Sequence, residues 1–93
     1  PEEIEDKLNS LPFVLESVVV QRDGKLVALV YPDNSEAAKK QLAGKNIFEI
    51  MDENRKLVNA ELAAYEQISM VKLYTHEFEK TPKKSIKRFL YEA

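Results

Sequence analysis

The order helix, hairpin, helices, strand, short helix along this chain predicts an α+β fold: a small sheet of about three strands, including a β-hairpin, covered by helices. Three observations carry that prediction. Asp23-Gly24 separates two runs of β-branched and aliphatic residues. Apolar residues recur at helical spacing before the hairpin and again between positions 47 and 62. A further strand candidate, 69–75, follows them.

The chain opens as a helix. Pro1 suits a first helical position, where its missing N–H costs nothing. Glu2, Glu3 and Glu5 place negative charge at the positive end of the helix dipole. Ile4, Leu8 and Leu11 form one apolar stripe, and Pro12 ends it. Residues 13–22 and 25–31 then read as two strands, because Asp-Gly supplies the positive φ that a two-residue hairpin turn needs. In the second strand Leu26, Ala28 and Val30 face one way, and Val27, Leu29 and Tyr31 the other. Both faces are apolar, which predicts a central strand with helices on each side.

After the turn at 32–34, Ser35 caps one helix that ends near Gly44. Asn46, with Glu49 three residues on, opens another in a capping-box pattern. Ile47, Ile50, Met51, Leu57, Val58 and Leu62 line its expected buried face, with Asp52 and Lys56 paired opposite. Phe48 and Met51 suit a cofactor pocket less well than a core, given that spacing. In the strand 69–75, Val71 and Leu73 face one side and Met70, Lys72 and Tyr74 the other. Ile86, Phe89 and Leu90 predict a last helix over 86–91, with Ser85 as its cap.

Bulk properties exclude several classes. A chain of 93 residues buries about 60–65% of its unfolded surface, enough for one small domain without metal or disulfide. It has no cysteine. No apolar stretch approaches the roughly 20 residues of a membrane span, and no basic-then-apolar leader opens it. At 32% charged and 44% hydrophobic residues it reads as a water-soluble globular chain. A formal net charge of −2 argues against a dedicated nucleic-acid binder. His76 is the single histidine and has no nucleophile beside it, so independent catalysis is not expected. No metal-ligand spacing and no glycine-rich phosphate loop occur.

One segment departs from this background. Lys80, Lys83, Lys84, Lys87 and Arg88 place five cations within nine residues. Two readings stand side by side: a solvated basic loop with Ser85 as a helix cap, or an anion clamp of cations and free helix N–H groups.

Several motifs in order, Pro1-Glu2-Glu3-Ile4-Glu5, the Asp-Gly hairpin, the stretch 54–68, and Lys80-Thr81-Pro82 followed by Ile86-Lys87-Arg88-Phe89-Leu90-Tyr91, resemble the C-terminal domain of the adenylate-forming (AMP-binding) enzymes. The stretch 54–68 is similar to the longer helical insert of the long-chain fatty acid CoA ligase branch. The family's last motif runs Pro, a short polar stretch, Gly-Lys, an aliphatic, any residue, Arg. In that register the adenylation lysine's place falls on Ser85.

The resemblance implies a mobile lid, residues 1–93, of a larger AMP-forming acyl-CoA synthetase whose N-terminal adenylation domain and hinge lie outside these residues. It implies a ligase that converts ATP, fatty acid and CoA to acyl-CoA, AMP and pyrophosphate. ATP with magnesium and CoA are then used by the complete enzyme and not bound by these residues alone, which are inactive by themselves. Placement is cytoplasmic, at most peripheral to a membrane, with no transmembrane segment and no nucleic-acid partner. Ser85 and Lys84 become the candidate catalytic positions, and Lys83, Lys87 and Arg88 candidate anion or nucleotide contacts; no metal ligand is implied. A serine is a short neutral donor where the family uses a long cation, so Lys84 stands in, or adenylation is weak, or the position has been altered. The alternative is a stand-alone module that holds an anionic partner through 80–88.

Overall fold

The computed structural model describes residues 2–92, so the expected helix-start role of Pro1 lies outside the described residues. It contains α1 (Glu2–Asn9), β1 (Val14–Arg22), β2 (Lys25–Pro32), α2 (Glu36–Leu42), α3 (Ile47–Asn59) and β3 (Ile68–Leu73), with 3-10 turns at Ala64–Glu66 and Arg88–Leu90. The α+β prediction holds. The sheet order is β1-β2-β3, with β2 central, antiparallel to β1 and parallel to β3. A parallel neighbour requires a crossover, and α2 and α3 supply it.

Local chemistry explains the turns and caps. Asp23 and Gly24 both have positive φ, 52° and 74°, as the tightest hairpin turn demands. Ser35 Oγ accepts from Ala38 N, and Asn46 Oδ1 accepts from Phe48 N. The cap bond of α3 thus goes to the second helical N–H rather than the third, the one a capping box uses. The left-handed residue closing α2 is Ala43, with Gly44 left-handed after it.

Both faces of the sheet are covered, but by different material. On one, Val19, Ala28 and Val30 pack with Ile4 and Leu8 of α1 and Met51 and Val58 of α3. On the other, Val18, Val20, Val27 and Leu29 pack with Phe78, with Tyr74, Ile86 and Tyr91 against them. α1 and α3 therefore both cover the first face, and the C-terminal segment covers the second.

Two core expectations are corrected. Phe48 and Leu57 lie on the solvent side of α3, at 66% and 57% exposure. The contact stripe is Met51, Asn54 and Val58, and Asn54 is satisfied there by donating to Pro12 O at 2.9 Å. α3 ends at Asn59, so Leu62 reaches the core from beyond the helix.

The helix expected over 86–91 is also absent. Ile86 pairs in an antiparallel bridge with Lys80, and Lys87 N donates to Glu79 O at 2.8 Å. Backbone committed to those bonds cannot wind into an α-helix, and only the short turn at Arg88–Leu90 forms. Phe89 and Leu90 face solvent, while Tyr91 turns inward. Among the described residues no helix is long and apolar enough to cross a membrane.

Candidate functional site

The basic segment is a small hairpin pinned to β1. Thr81 N donates to Ser85 O at 2.8 Å, and Lys84 N to Thr81 O at 2.8 Å. Ser85 N donates to Thr81 Oγ1 at 3.3 Å. Pro82 suits the second position of such a turn because its φ is already set. Lys84 follows with φ 67°, the left-handed region that glycine enters most readily. Ser85 is therefore a turn residue and not a helix cap, and the anion clamp loses the helix N–H groups expected of it.

Each end of this loop is fastened to the same strand. Lys80 Nζ pairs with Glu16 of β1 and donates to Phe78 O. Glu16 Oε1 also accepts from Phe78 N at 3.3 Å. At the other end, Arg88 Nη1 lies 2.7 and 2.6 Å from the two carboxylate oxygens of Glu5. Glu5 Oε2 accepts from Val19 N at 2.7 Å, and Arg88 Nη2 donates to Val19 O at 3.1 Å. β1 is an edge strand. The Glu5–Arg88 pair thus bonds both outward-facing backbone groups of Val19, as a neighbouring strand would.

The aromatic residues lock the base of the loop from below. Tyr91 meets Phe78 edge-on at 5.0 Å between ring centres and Tyr74 at 5.8 Å. Its hydroxyl accepts from Glu79 N at 2.8 Å. Arg22 Nη2 donates to Tyr91 O at 2.9 Å.

The sequence candidates therefore separate. Lys83, Lys84 and Ser85 sit together at the exposed tip, with Lys87 half-buried behind them. Among the described residues no carboxylate lies within 4.0 Å of the amines of Lys83, Lys84 or Lys87. Arg88 instead faces inward. Sequence reasoning missed Glu5, Glu16, Tyr74, Phe78 and Tyr91 as parts of the site. Glu5 carried a weak signal, since it flanks the Ile4–Leu8 stripe and so sits near the buried face of α1.

The Glu16 carboxylate bonding Lys80 holds that ammonium's pKa above its ordinary value of 10.5. A raised lysine pKa means that the folded state holds the proton more tightly. The contribution is complete below the unfolded value and is lost as pH rises through the raised one. We expect the melting-temperature gap between the wild type and Glu16→Gln to be widest below pH 10.5 and to narrow above it. A gap that does not change across that range would show that the ion pair adds nothing.

No family model matches the chain, and no curated protein does. Solved structures do. The adenylation domain of a carboxylate reductase from Mycobacterium chelonae superposes with a TM-score of 0.75 at 19% identity, over 96% of this chain and 15% of that one. Brucella canis acyl-CoA synthetase gives 0.72 at 24%, over 99% and 16%. A benzoate CoA ligase from Burkholderia xenovorans LB400 gives 0.69 at 26%, over 100% and 18%. The chain thus has the fold of a segment of adenylation and CoA-ligase proteins, and spans less than a fifth of the length of each of these three.

Proposed function

We propose that this chain, sharing its fold with a segment of acyl-CoA synthetases and CoA ligases, is the lid of an AMP-forming acyl-CoA synthetase acting on fatty acids. The observation that carries the reading is the left-handed backbone at Lys84. In the register set by Ile86-Lys87-Arg88, Lys84 takes the place of the motif's glycine and Ser85 that of its lysine. A glycine in a motif marks backbone that other residues enter at a cost, and the positive φ falls at that place.

The loop's chemistry suits transfer of the adenylyl group of ATP onto a carboxylate oxygen, with pyrophosphate leaving. Adenylation redistributes negative charge between a carboxylate and the α-phosphate, and a fixed cation beside that charge lowers the barrier. Lys84 and Lys83 offer such cations at a tip whose base is anchored at both ends. Lys87 adds a third cation behind them. ATP, fatty acid and CoA are substrates of the complete enzyme, which contains the N-terminal adenylation domain. Among the described residues no three metal-ligating side chains converge.

The test is acid-dependent exchange of pyrophosphate into ATP by the complete polypeptide. A panel should run from acetate to stearate, with benzoate included. We expect exchange that is strongest with long-chain acids, and acyl-CoA once CoA is added. Exchange with benzoate or acetate alone would retain the ligase and discard the fatty-acid assignment. No exchange with any acid would discard both.

A further inference from the structure

We infer that Glu5 and Arg88 act as a positioning unit, holding the 81–85 loop in its working pose by fastening it to the free edge of β1. The inference rests on the lid reading and deepens it. It also moves Arg88 from an anion contact to a residue that acts through others.

The argument begins with geometry. Glu5 is buried, and its carboxylate accepts from two different partners, the Val19 amide and the Arg88 guanidinium. The guanidinium returns to the same residue through Val19 O. Three groups separated by 14 and 69 positions along the chain therefore close one ring of charge-assisted bonds. Such bonds are short and directional, so they fix position more tightly than apolar contact does.

The ring connects to the loop through the backbone around Arg88. Arg88 N donates to Ile86 O, and Lys87 N to Glu79 O. Ile86 pairs with Lys80, the residue that anchors the other end of the loop to Glu16. A shift of Arg88 therefore moves Ile86, and with it the register of the hairpin that carries Lys83, Lys84 and Ser85. Glu5 and Arg88, each from a motif noted at opposite ends of the sequence, meet here as one device. Glu5 pairs with none of the exposed lysines, and of its two carboxylate partners Arg88 is the one that continues into the loop.

The experiment uses the complete enzyme with Glu5→Gln and, separately, Arg88→Lys. Glu5→Gln keeps the shape and an acceptor for Val19 but sets an amide against the guanidinium. Arg88→Lys keeps the charge but cannot reach both Glu5 and Val19 O. Amide exchange is read by mass spectrometry for peptides covering 79–88 and 26–31. We expect exchange of 79–88 to rise about tenfold in Glu5→Gln, as for loss of one charge-assisted bond, with 26–31 unchanged. Pyrophosphate exchange should fall about tenfold, while thioester formation from preformed adenylate changes less than about twofold. Arg88→Lys should move both readouts in the same direction, and it is the deciding variant if Glu5→Gln loses protection at 26–31 as well.

A loop that loosens with both half-reactions slowed equally would make the pair merely structural and overturn the inference. Unchanged exchange at 79–88 would overturn it too. An unaltered enzyme that forms no adenylate would overturn the lid reading itself, and this inference with it. Normal chemistry in that enzyme with both variants flat would remove the inference alone.

Discussion

Phe78→Ala should destabilise the protein by about 4 kcal/mol, while Phe89→Ala should change it by less than about 0.5 kcal/mol. Phe78 is 2% exposed and fills the space between the sheet and the C-terminal segment, against Val18, Val20, Val27 and Leu29. Its ring also meets Tyr74 at 5.2 Å and Tyr91 at 5.0 Å. Truncation removes the buried apolar area and the aromatic contacts together, and the strands beneath cannot close the gap without losing ladder bonds. Phe89 is 71% exposed and has little to lose. Urea unfolding of both variants decides the matter. For Phe78→Ala the midpoint should drop with the slope unchanged, because the surface exposed on unfolding is nearly the same. Equal losses, or a larger loss for Phe89→Ala, would mean that the second face is packed in some other way.

The contrast between these two phenylalanines marks where sequence reading stopped. Signals that act over a few residues were legible. Asp23-Gly24 sets its own turn, Ser35 and Asn46 cap the N–H groups next to them, and alternation in β2 exposed its two-faced burial. Those features are fixed by backbone geometry within one turn or one strand. Phe78 stands alone among polar residues, in a stretch with no period, and nothing local announces that it covers a sheet face. Phe89 sat at helical spacing from Ile86, and that spacing misled, because long-range bonds to Glu79 and Lys80 had already claimed the backbone.

The same distinction holds for the candidate site. The cation cluster is visible as composition, so Lys83, Lys84 and Lys87 could be named from the sequence. The partners that position the loop could not. Glu5 and Arg88 are 83 positions apart, and a lone glutamate at a helix start has an adequate local explanation in the helix dipole. Glu16 likewise reads as an ordinary polar residue within a strand. Which of five cations is spent on holding the fold, and which are free for chemistry, is decided by topology: Lys80 and Arg88 flank the loop where it meets β1, and the others lie beyond it.

Ser85→Lys in the complete enzyme should raise the adenylation half-reaction by about 10²-fold, the scale of one well-placed stabilising group. Under the proposed lid reading, thioester formation from preformed adenylate should stay nearly constant, because a lid that serves two steps would turn a different face to the site in the second. Stability should hold as well. Ser85 is exposed, and the turn uses its backbone: Ser85 O accepts from Thr81 N, and Ser85 N donates to Thr81 Oγ1. Substitution at such a surface position usually stays within about 0.5 kcal/mol, less than the loss of a helix cap would imply.

Lys84→Ala is the companion variant. Alanine also carries a Cβ, so the strain of the left-handed position, φ 67°, is nearly the same in both proteins. Only the amine is removed. If Lys84 stands in for the missing lysine, pyrophosphate exchange should fall in Lys84→Ala and recover when Ser85→Lys is added to it. That recovery separates a shared electrostatic task from a general disturbance of the loop, since a disturbed loop has no reason to respond to a cation one residue away. If neither substitution moves exchange, the register read from Ile86-Lys87-Arg88 is wrong, and the exposed lysines serve something other than adenylation.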